Sequence, residues 1–527
     1  MIDLWPIRTA LLSVTDKTGL ESLARGLHQR GVHIISTGGT GKMLKEWSIP
    51  FQDITEFTGH PEAFSGRMKT ISFACASGLL FRRQDPSDEL EAAQLGIKAI
   101  DLVVCNLYPF EKVAAEKADE PVLVENIDIG GPLMIRAAAK NFASVSVLTD
   151  PAQYESFLAS LVSFQGQTTF ALRRELAARA FERIAQYDVA IAQTLGERIL
   201  GDKQETRFIA LTNAQPLRYG ENPHQKATVY EWKNSQGATI KSARILQGKE
   251  LSSNNMLDAD AAWKAASDVQ NLMGKGCAAI VVKHGNPCGM VHASSTKVAL
   301  ERAWAGDSVS AFGGIIALTQ KVDAEIATFF NEKFIEILMA PEFTPEAMQI
   351  LATKKNVRVL ELPVLSADKK EMTLRSFCGG VLYQEEDEKL STELKTVTKV
   401  SMTSADKQTS LFGVLCAKHL KSNAIALVRT ENGVTELVGA GMGQPNRLDS
   451  FLRLALPRMV EKDIKPESVI MVSDAFFPFG DTVEVAAKAG IKRIVQPGGS
   501  IRDDEVFAMA DKYNVAMVCT GERHFRH

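Results

Sequence analysis

The chain has 527 residues, of which 45% are apolar, 23% charged and 7% aromatic. These are globular proportions, and they exclude a chain that is mainly disordered, fibrous or collagen-like. At about 150 residues per domain the length predicts roughly three and a half domains, and a net charge of −3 leaves no cationic excess for DNA or RNA as the main partner.

No apolar run is long enough to span a bilayer. Asp3 stands where a signal peptide would carry positive charge. The expectation is a full-length cytoplasmic protein with neither membrane nor nucleic acid among its partners. Seven cysteines lie between Cys75 and Cys519, an odd number without a CxxC pair. That argues against both a disulfide framework and a zinc ribbon.

In chain order, TALLSV (9–14) reads as a strand and DKTGLESLARGLHQRG (16–31) as a helix. VHIIST (32–37) is a second strand, and GGT opens a helix that runs to Trp47. AIDLVVCNLY (99–108) and SVSVLTD (144–150) are further strands, with the helical spacing of PLMIRAAAKNF (132–142) between them. Alternating β and α units predict a mostly parallel sheet covered by helices. A long helix is expected over 168–199, where a domain boundary falls. A new pattern begins at LTNAQPLRYGENPHQ (211–225). Strands are expected at 278–286, 313–319, 423–429, 435–441, 468–476, 493–499 and 515–521, with helices between. A polar, charged span at 385–408 divides this half again. The domains predicted are therefore 1–200, 201–385 and 386–527, the last two being α/β lobes of similar size.

SVTDKTG (13–19) and STGGTGK (36–42) each follow a strand and open a helix, the place where open α/β sheets bind ligands. Glycines admit an anion to the backbone, and a helix N-terminus offers unpaired N–H donors. Ser13, Thr15, Thr37 and Thr40 add hydroxyls and Lys17 adds charge. The pair reads as a phosphate cradle or as turn punctuation. It is not a P-loop, because Ser36 and Met43 break GxxxxGK[ST]. In SGRMKT (65–70), Arg67 and Lys69 share one face of an extended segment, suited to a phosphate or to a solvated turn. CNLYPF (105–110) puts Asn106 and Tyr108 at a strand end. Asp128 lies in the turn NIDIGG, and Lys140 in the helical RAAAKN. Such an Asp serves a turn or a reaction, and such a Lys serves a solvated face or a site.

LRYGENPHQ gathers Arg218, Tyr219 and His224 in a turn-rich segment. VVKHGNPCG (281–289) ends an apolar strand on Lys283 and His284. Adjacent strand residues point to opposite faces, so both can serve one pocket only if the chain turns there, as Gly285 and Pro287 allow. An imidazole is a usable general base near pH 7; a packed or surface histidine is the alternative. NPCG invites a zinc-deaminase reading, but Asn286 replaces the glutamate and Val291 the second cysteine. No catalytic metal is expected. SDAFFPFGD (473–481) holds three phenylalanines that suit either a core or a flat-ring platform. The terminal GERHFRH reads as a frayed end or an anion-binding tail.

Taken together and in order, these segments resemble the bifunctional AICAR transformylase/IMP cyclohydrolases of purine biosynthesis over essentially the whole chain. SVTDKTG, STGGT, GRMKT, CNLYPF, NIDIGG and RAAAKN resemble the cyclohydrolase half. LRYGENPHQ, KHGNPCG, AFGG, SNAI, SDAFFPFGD, PGGSIRDDE and RHFRH resemble the transformylase half. The resemblance implies an α/β protein: a methylglyoxal-synthase-like parallel-sheet domain, then two cytidine-deaminase-like lobes without zinc. It also implies a homodimer whose transformylase site lies between subunits. The implied reactions are formyl transfer from the co-substrate 10-formyltetrahydrofolate to AICAR, giving FAICAR, and dehydrative closure of FAICAR to IMP.

Carried over by position, His284 is implied as general base, Lys283 as its partner, and Asn423 as the residue orienting the carboxamide. Arg218, Tyr219, Gly313, Glu336 and Arg523 are implied AICAR contacts, and Arg447, Phe476 and Ser500 folate contacts. For ring closure the resemblance implies Lys140, Tyr108, Asp128 and Lys69 as catalytic. Ser13, Thr15, Asp16, Lys17, Thr37, Gly38, Gly39, Thr40, Arg67, Lys69, Thr70, Cys105 and Asn106 are implied to hold FAICAR or IMP. One segment departs. Where the family continues LHPxxHGG, this chain has ISFACASG (71–78), with Ser72 and Ala76 in place of the histidines. That substitution sets up an alternative, a transformylase whose N-terminal domain only binds nucleotide or serves structure.

Overall fold

The computed structural model describes residues 3–232, 239–366, 372–390 and 393–527. The chain divides into two compact units, Met1–Ala210 and Leu211–His527. Among the described residues no helix is long and apolar enough to cross a membrane.

The first unit is built on five parallel strands. In space they run Gln52–Asp53, His33–Ser36, Thr9–Ser13, Leu102–Cys105, Ser146–Leu148. Alternate residues feed two separate cores. Leu11, Ile35, Val103 and Cys105 pack on one face, and Ala10, Leu12, Ile34 and Val104 on the other. Burial on both faces is why these strands read as continuous apolar runs. After Thr9–Ser13 the chain builds outward in one direction, then returns to lay Leu102–Cys105 on the other side. That reversal is a topological switch point, with a crevice beyond the carboxyl ends of the two central strands.

The first helix covers Leu20–His28 and not 16–31. Gly19, at φ 67°, stops it, and the Asp16 carboxylate ties back Thr18 N at 2.9 Å. Residues 15–18 therefore stay in the crevice as a loop. The expected long helix is present as Phe170–Leu195, capped by the Thr169 hydroxyl on Leu172 N at 3.2 Å.

The second unit carries one mixed sheet of twelve strands, and its middle ten repeat one design. In the first half, Cys277–Lys283 and Asn286–Ala293 form an antiparallel hairpin. Gly314–Leu318 joins antiparallel, then Ile335–Ala340 and Arg358–Glu361 join in parallel. The second half repeats this with the hairpin Ile425–Glu431 and Val434–Gly441, then Ile470–Ser473, Arg493–Gln496 and Ala516–Cys519. The halves join where Asn286–Ala293 pairs with Val434–Gly441. A helix precedes each hairpin, Ser253–Met273 and Ser404–His419, and both contribute to one shared core.

Two details differ from the sequence reading. The strand expected over 278–286 ends at Lys283, and the chain returns at once as a second strand. The polar span at 385–408 contains the strand Lys395–Thr396, paired with Ala516–Cys519, and the capping box of Thr403 with Asp406.

Candidate active sites

In the first unit the crevice loops are knitted by side chains. Ser13 and Thr37 hydroxyls lie 2.9 Å apart. The buried Thr40 hydroxyl bonds both Val14 N and Val14 O at 3.1 Å. Asn106 Oδ1 accepts from Thr15 N at 2.5 Å and Asp16 N at 2.9 Å, and its Nδ2 donates to Asp16 O at 2.9 Å. Lys17 folds back on the carbonyls of Val14 and Thr15. Burial lowers its pKa, with Asp16 opposing. Ser13, Thr40 and Asn106 thus shape the loops, while the exposed Gly38 and Gly39 open the helix Gly38–Glu46, whose N-cap Thr37 gives no side-chain cap. That leaves N–H donors facing solvent, suited to an anion.

Lys69 stands at the same place: a Cβ on Gly38 would lie 3.3 Å from its Nζ. Two cations expected to grip phosphate are paired with carboxylates, Lys69 with Glu62 at 3.2 Å and Arg67 with Glu125. Tyr108 belongs to this cluster. Burial raises its pKa, the charge of Asp128 adds to that, and Lys69 opposes it. Asp128 is itself raised by burial. Its Oδ1 accepts from Gly131 N at 2.8 Å, and its own N–H donates to the Tyr187 hydroxyl at 2.8 Å. Gly130 comes against Thr70, where a Cβ would be 2.5 Å from the hydroxyl. Buried Cys105 lies beneath, its thiol pushed up by burial and then by Asp128.

Lys140 stands at the far end of the helix that follows Asp128. It is the last residue of the helix Gly130–Lys140, whose first turn meets Thr70 and Asp128. At about 1.5 Å per residue its Cα lies roughly 15 Å along the axis from that first turn. Its neighbour Asn141 is tied to the carbonyls of Leu79 and Phe81 at 2.7 and 3.0 Å. In the divergent segment, Ser72 caps the helix Phe73–Leu80 by accepting from Cys75 N at 3.1 Å, and Ser77 donates to Phe73 O at 2.6 Å. Both serines are engaged with their own helix.

In the second unit Lys283 and His284 stand at the tip of the first hairpin. Lys283 pairs with Asn286, and His284 and Gly285 form the two-residue turn with φ of 54° and 72°. Lys283 Nζ donates to Gly313 O at 2.7 Å. Gly313, at φ 66°, has no room for a side chain: a Cβ would sit 3.0 Å from Phe334 and 3.1 Å from Lys283 Nζ. Glu336, two residues beyond Phe334, accepts from Asn255 at 3.1 Å and Arg358 at 3.2 Å. Asn254 donates to Glu221 O at 3.2 Å, which brings in the loop of Arg218 and Tyr219. There the Arg218 guanidinium lies 4.7 Å over the Tyr219 ring.

The second lobe closes on the same hairpin tip. Asn286 Oδ1 accepts from Lys421 N at 3.2 Å, and its Nδ2 donates to His284 O at 3.1 Å. Asn423 is held by the carbonyls of Gln444 and Pro445 at 2.9 and 3.1 Å. Arg447 donates to Ser473 at 3.1 Å and to the buried Asp474 at 3.0 Å. Asp474 also accepts from Ser422 at 2.5 Å, and its carbonyl from His524 N at 2.9 Å. The terminal GERHFRH is therefore anchored. Arg523 stacks 4.5 Å over Phe525, and Arg526 N donates to Ser422 at 3.1 Å. The three phenylalanines divide: Phe477 is core, Phe476 half-buried, and exposed Phe479 lies under Arg502 at 4.9 Å. Ser500 accepts from Arg502 N at 3.1 Å.

Sequence reasoning missed Glu62, Asp258, Asn286 as a bridge, and Asp474. Asp474 lay inside a quoted motif. Asp258 belongs to none of the quoted motifs. Among the described residues no group of three or more His, Cys, Asp or Glu side chains is arranged to hold a metal ion.

A switch-point crevice on a parallel sheet, and a hairpin-borne Lys–His pair on a duplicated mixed sheet, define a two-domain α/β protein with two small-molecule sites. Comparison with known proteins specifies it. A family model described as AICARFT/IMPCHase bienzyme matches residues 138–458, and one described as MGS-like domain matches 19–133. "Bifunctional purine biosynthesis protein PurH" of Roseobacter denitrificans is 45% identical over 539 residues, spanning 100% of both chains. Its namesake in Ruegeria pomeroyi is 44% identical over 537 residues, again 100% of both. That of Halalkalibacterium halodurans is 44% identical over 523 residues, 99% of this chain and 100% of its own. The chain belongs to the AICARFT/IMPCHase bienzyme family of purine biosynthesis. The formyltransferase part implies a folate co-substrate, and the full-length matches support the two-activity reading over a transformylase alone.

Proposed function

We propose that the second unit transfers the formyl group of 10-formyltetrahydrofolate to the 5-amino group of AICAR, and that the first closes the product, FAICAR, to IMP. In the transfer, the amine attacks the formyl carbon while His284 takes its proton. The tetrahedral intermediate collapses, the C–N bond to the folate breaks, and Lys283 helps supply the proton to the departing nitrogen. Asn423 orients the carboxamide. Arg218 and Arg523 bind the AICAR phosphate, because a guanidinium fork matches it, with Tyr219, Gly313 and Glu336 on the base and ribose. Arg447, Phe476 and Ser500 take the folate, the ring stacking on the pterin.

In ring closure the carboxamide nitrogen attacks the formyl carbon, and the carbinolamine then loses water. Lys69, Tyr108 and Asp128 handle that proton traffic. The phosphate sits at Gly38–Thr40 with Arg67, Lys69 and Thr70, displacing Glu62 and Glu125 from their cations. Two chains form a homodimer that completes the transformylase site.

The observation that carries this reading is the hairpin tip, which places Lys283 against Gly313 at 2.7 Å with His284 exposed beside it. The test is His284→Ala, assayed for both activities. Transformylation should fall by roughly 10²–10⁴-fold, while closure of supplied FAICAR is unchanged. Full transformylation in that variant would refute the assignment.

A further inference from the structure

The two hairpins of the duplicated sheet carry the same turn with different residues. In the second, Asn432 and Gly433 connect Glu431 to Val434, with φ of 52° and 75°. Asn-Gly is the sequence such a two-residue turn favours, since both positions need positive φ. In the first hairpin His284 stands where the duplicate has Asn432, at φ 54°. Histidine enters this region more often than most residues with a Cβ, yet it remains uncommon there, and contacts around the turn hold it in place.

The surroundings that fix it are visible. Asp258, in the second turn of the helix Ser253–Met273, aims its carboxylate at the turn. Oδ2 accepts from His284 N at 3.2 Å and Oδ1 from Gly285 N at 2.6 Å. One carboxylate thus binds both N–H groups of the turn. The same helix fixes Glu336 through Asn255 and the Arg218 loop through Asn254, so its first two turns set three parts of one site.

We infer that Asp258 is a positioning residue for transformylation, holding His284 in the one backbone conformation that presents its imidazole beside Lys283. This rests on the reading of His284 as general base. Asp258 touches only backbone N–H groups of the turn, so its effect reaches the reaction through His284.

The experiment compares Asp258→Ala, Asp258→Asn, His284→Ala and the double variant Asp258→Ala/His284→Ala in the full-length protein. AICAR binding serves as the check that the second unit is folded. Asp258→Ala should lower kcat for transformylation roughly 10²-fold, the scale of a small misplacement of a reacting group, with KM for AICAR little changed. Asp258→Asn, which keeps one accepting oxygen, should recover part of the loss. The double variant should be no slower than His284→Ala alone, because residues acting as a unit are not additive. Full turnover in Asp258→Ala beside an inactive His284→Ala would overturn the inference alone. A double variant well below His284→Ala would also overturn it, since Asp258 would then act by another route. Full turnover in His284→Ala would remove the general base, and the inference with it.

Discussion

Lys69 and Lys140 carry similar sequence signals and stand at different places in the first unit. Both were legible as lysines in family motifs; the charge of Lys69 acts on Tyr108, and Lys140 ends a helix. A motif fixes residue identity; a helix axis fixes distance, and Lys140 lies at the far end of Gly130–Lys140. Lys69→Ala should therefore slow FAICAR closure by at least the roughly 10²-fold of a positioned proton-transfer group. Lys140→Ala should leave closure within a small factor of the parent. Steady-state closure of supplied FAICAR measures both, and the reverse ranking would restore Lys140 to the site. Asp128 adds a sign for pH. Burial raises its pKa, so as acid protonates it closure should decline from a higher pH than an ordinary aspartate would set.

At the scale of elements, the strands were the most legible part, because runs buried on both faces leave an unbroken apolar signature. Their ends were less so. The strand expected through 286 turns at His284 and Gly285; Gly285 and Pro287 allowed that turn, but nothing in the pattern fixed its exact residue. The return strand Asn286–Ala293 was hidden behind a Pro and a Gly that read as loop. The divergent ISFACASG is the converse case. Its chemistry looked depleted, yet it folds as a regular helix, Phe73–Leu80, capped by Ser72. Ser72→Ala should cost about 1 kcal/mol, the usual worth of such a cap, read as a lower urea midpoint for the first unit. No change in that midpoint would show that the cap contributes nothing.

For the whole molecule, the duplication of hairpin and parallel strands was legible only as two lobes of similar size, since the halves share a pattern of pairing and not a sequence. The halves are also joined by charge. Asp268, on Ser253–Met273, accepts from Lys418 Nζ at 2.9 Å and His419 Nε2 at 2.8 Å at the end of Ser404–His419. Burial alone would raise the Asp268 pKa, but its bonds and charges from His419 and Lys418 prevail and leave it at about 2. Burial lowers that of His419, with Asp268 opposing. Both groups bind fewer protons folded than unfolded, so stability rises with pH through each window. Acid should begin to destabilise the second unit below the ordinary histidine value of about 6.5. The loss should steepen below about 4 and continue towards 2, where folded Asp268 at last takes up a proton. Unfolding midpoints against pH, for the parent and Asp268→Asn, measure this; the lower step should vanish in the variant, and its persistence would assign it elsewhere.

In the proposed function one chain runs both reactions although ISFACASG replaces the family's usual wall. The most direct measurement gives the purified protein AICAR and 10-formyltetrahydrofolate and follows FAICAR and IMP by chromatography, beside FAICAR alone without enzyme. IMP should rise with no lasting pool of FAICAR. FAICAR that accumulates and closes no faster than the enzyme-free control would contradict it, leaving a transformylase whose first unit no longer performs ring closure.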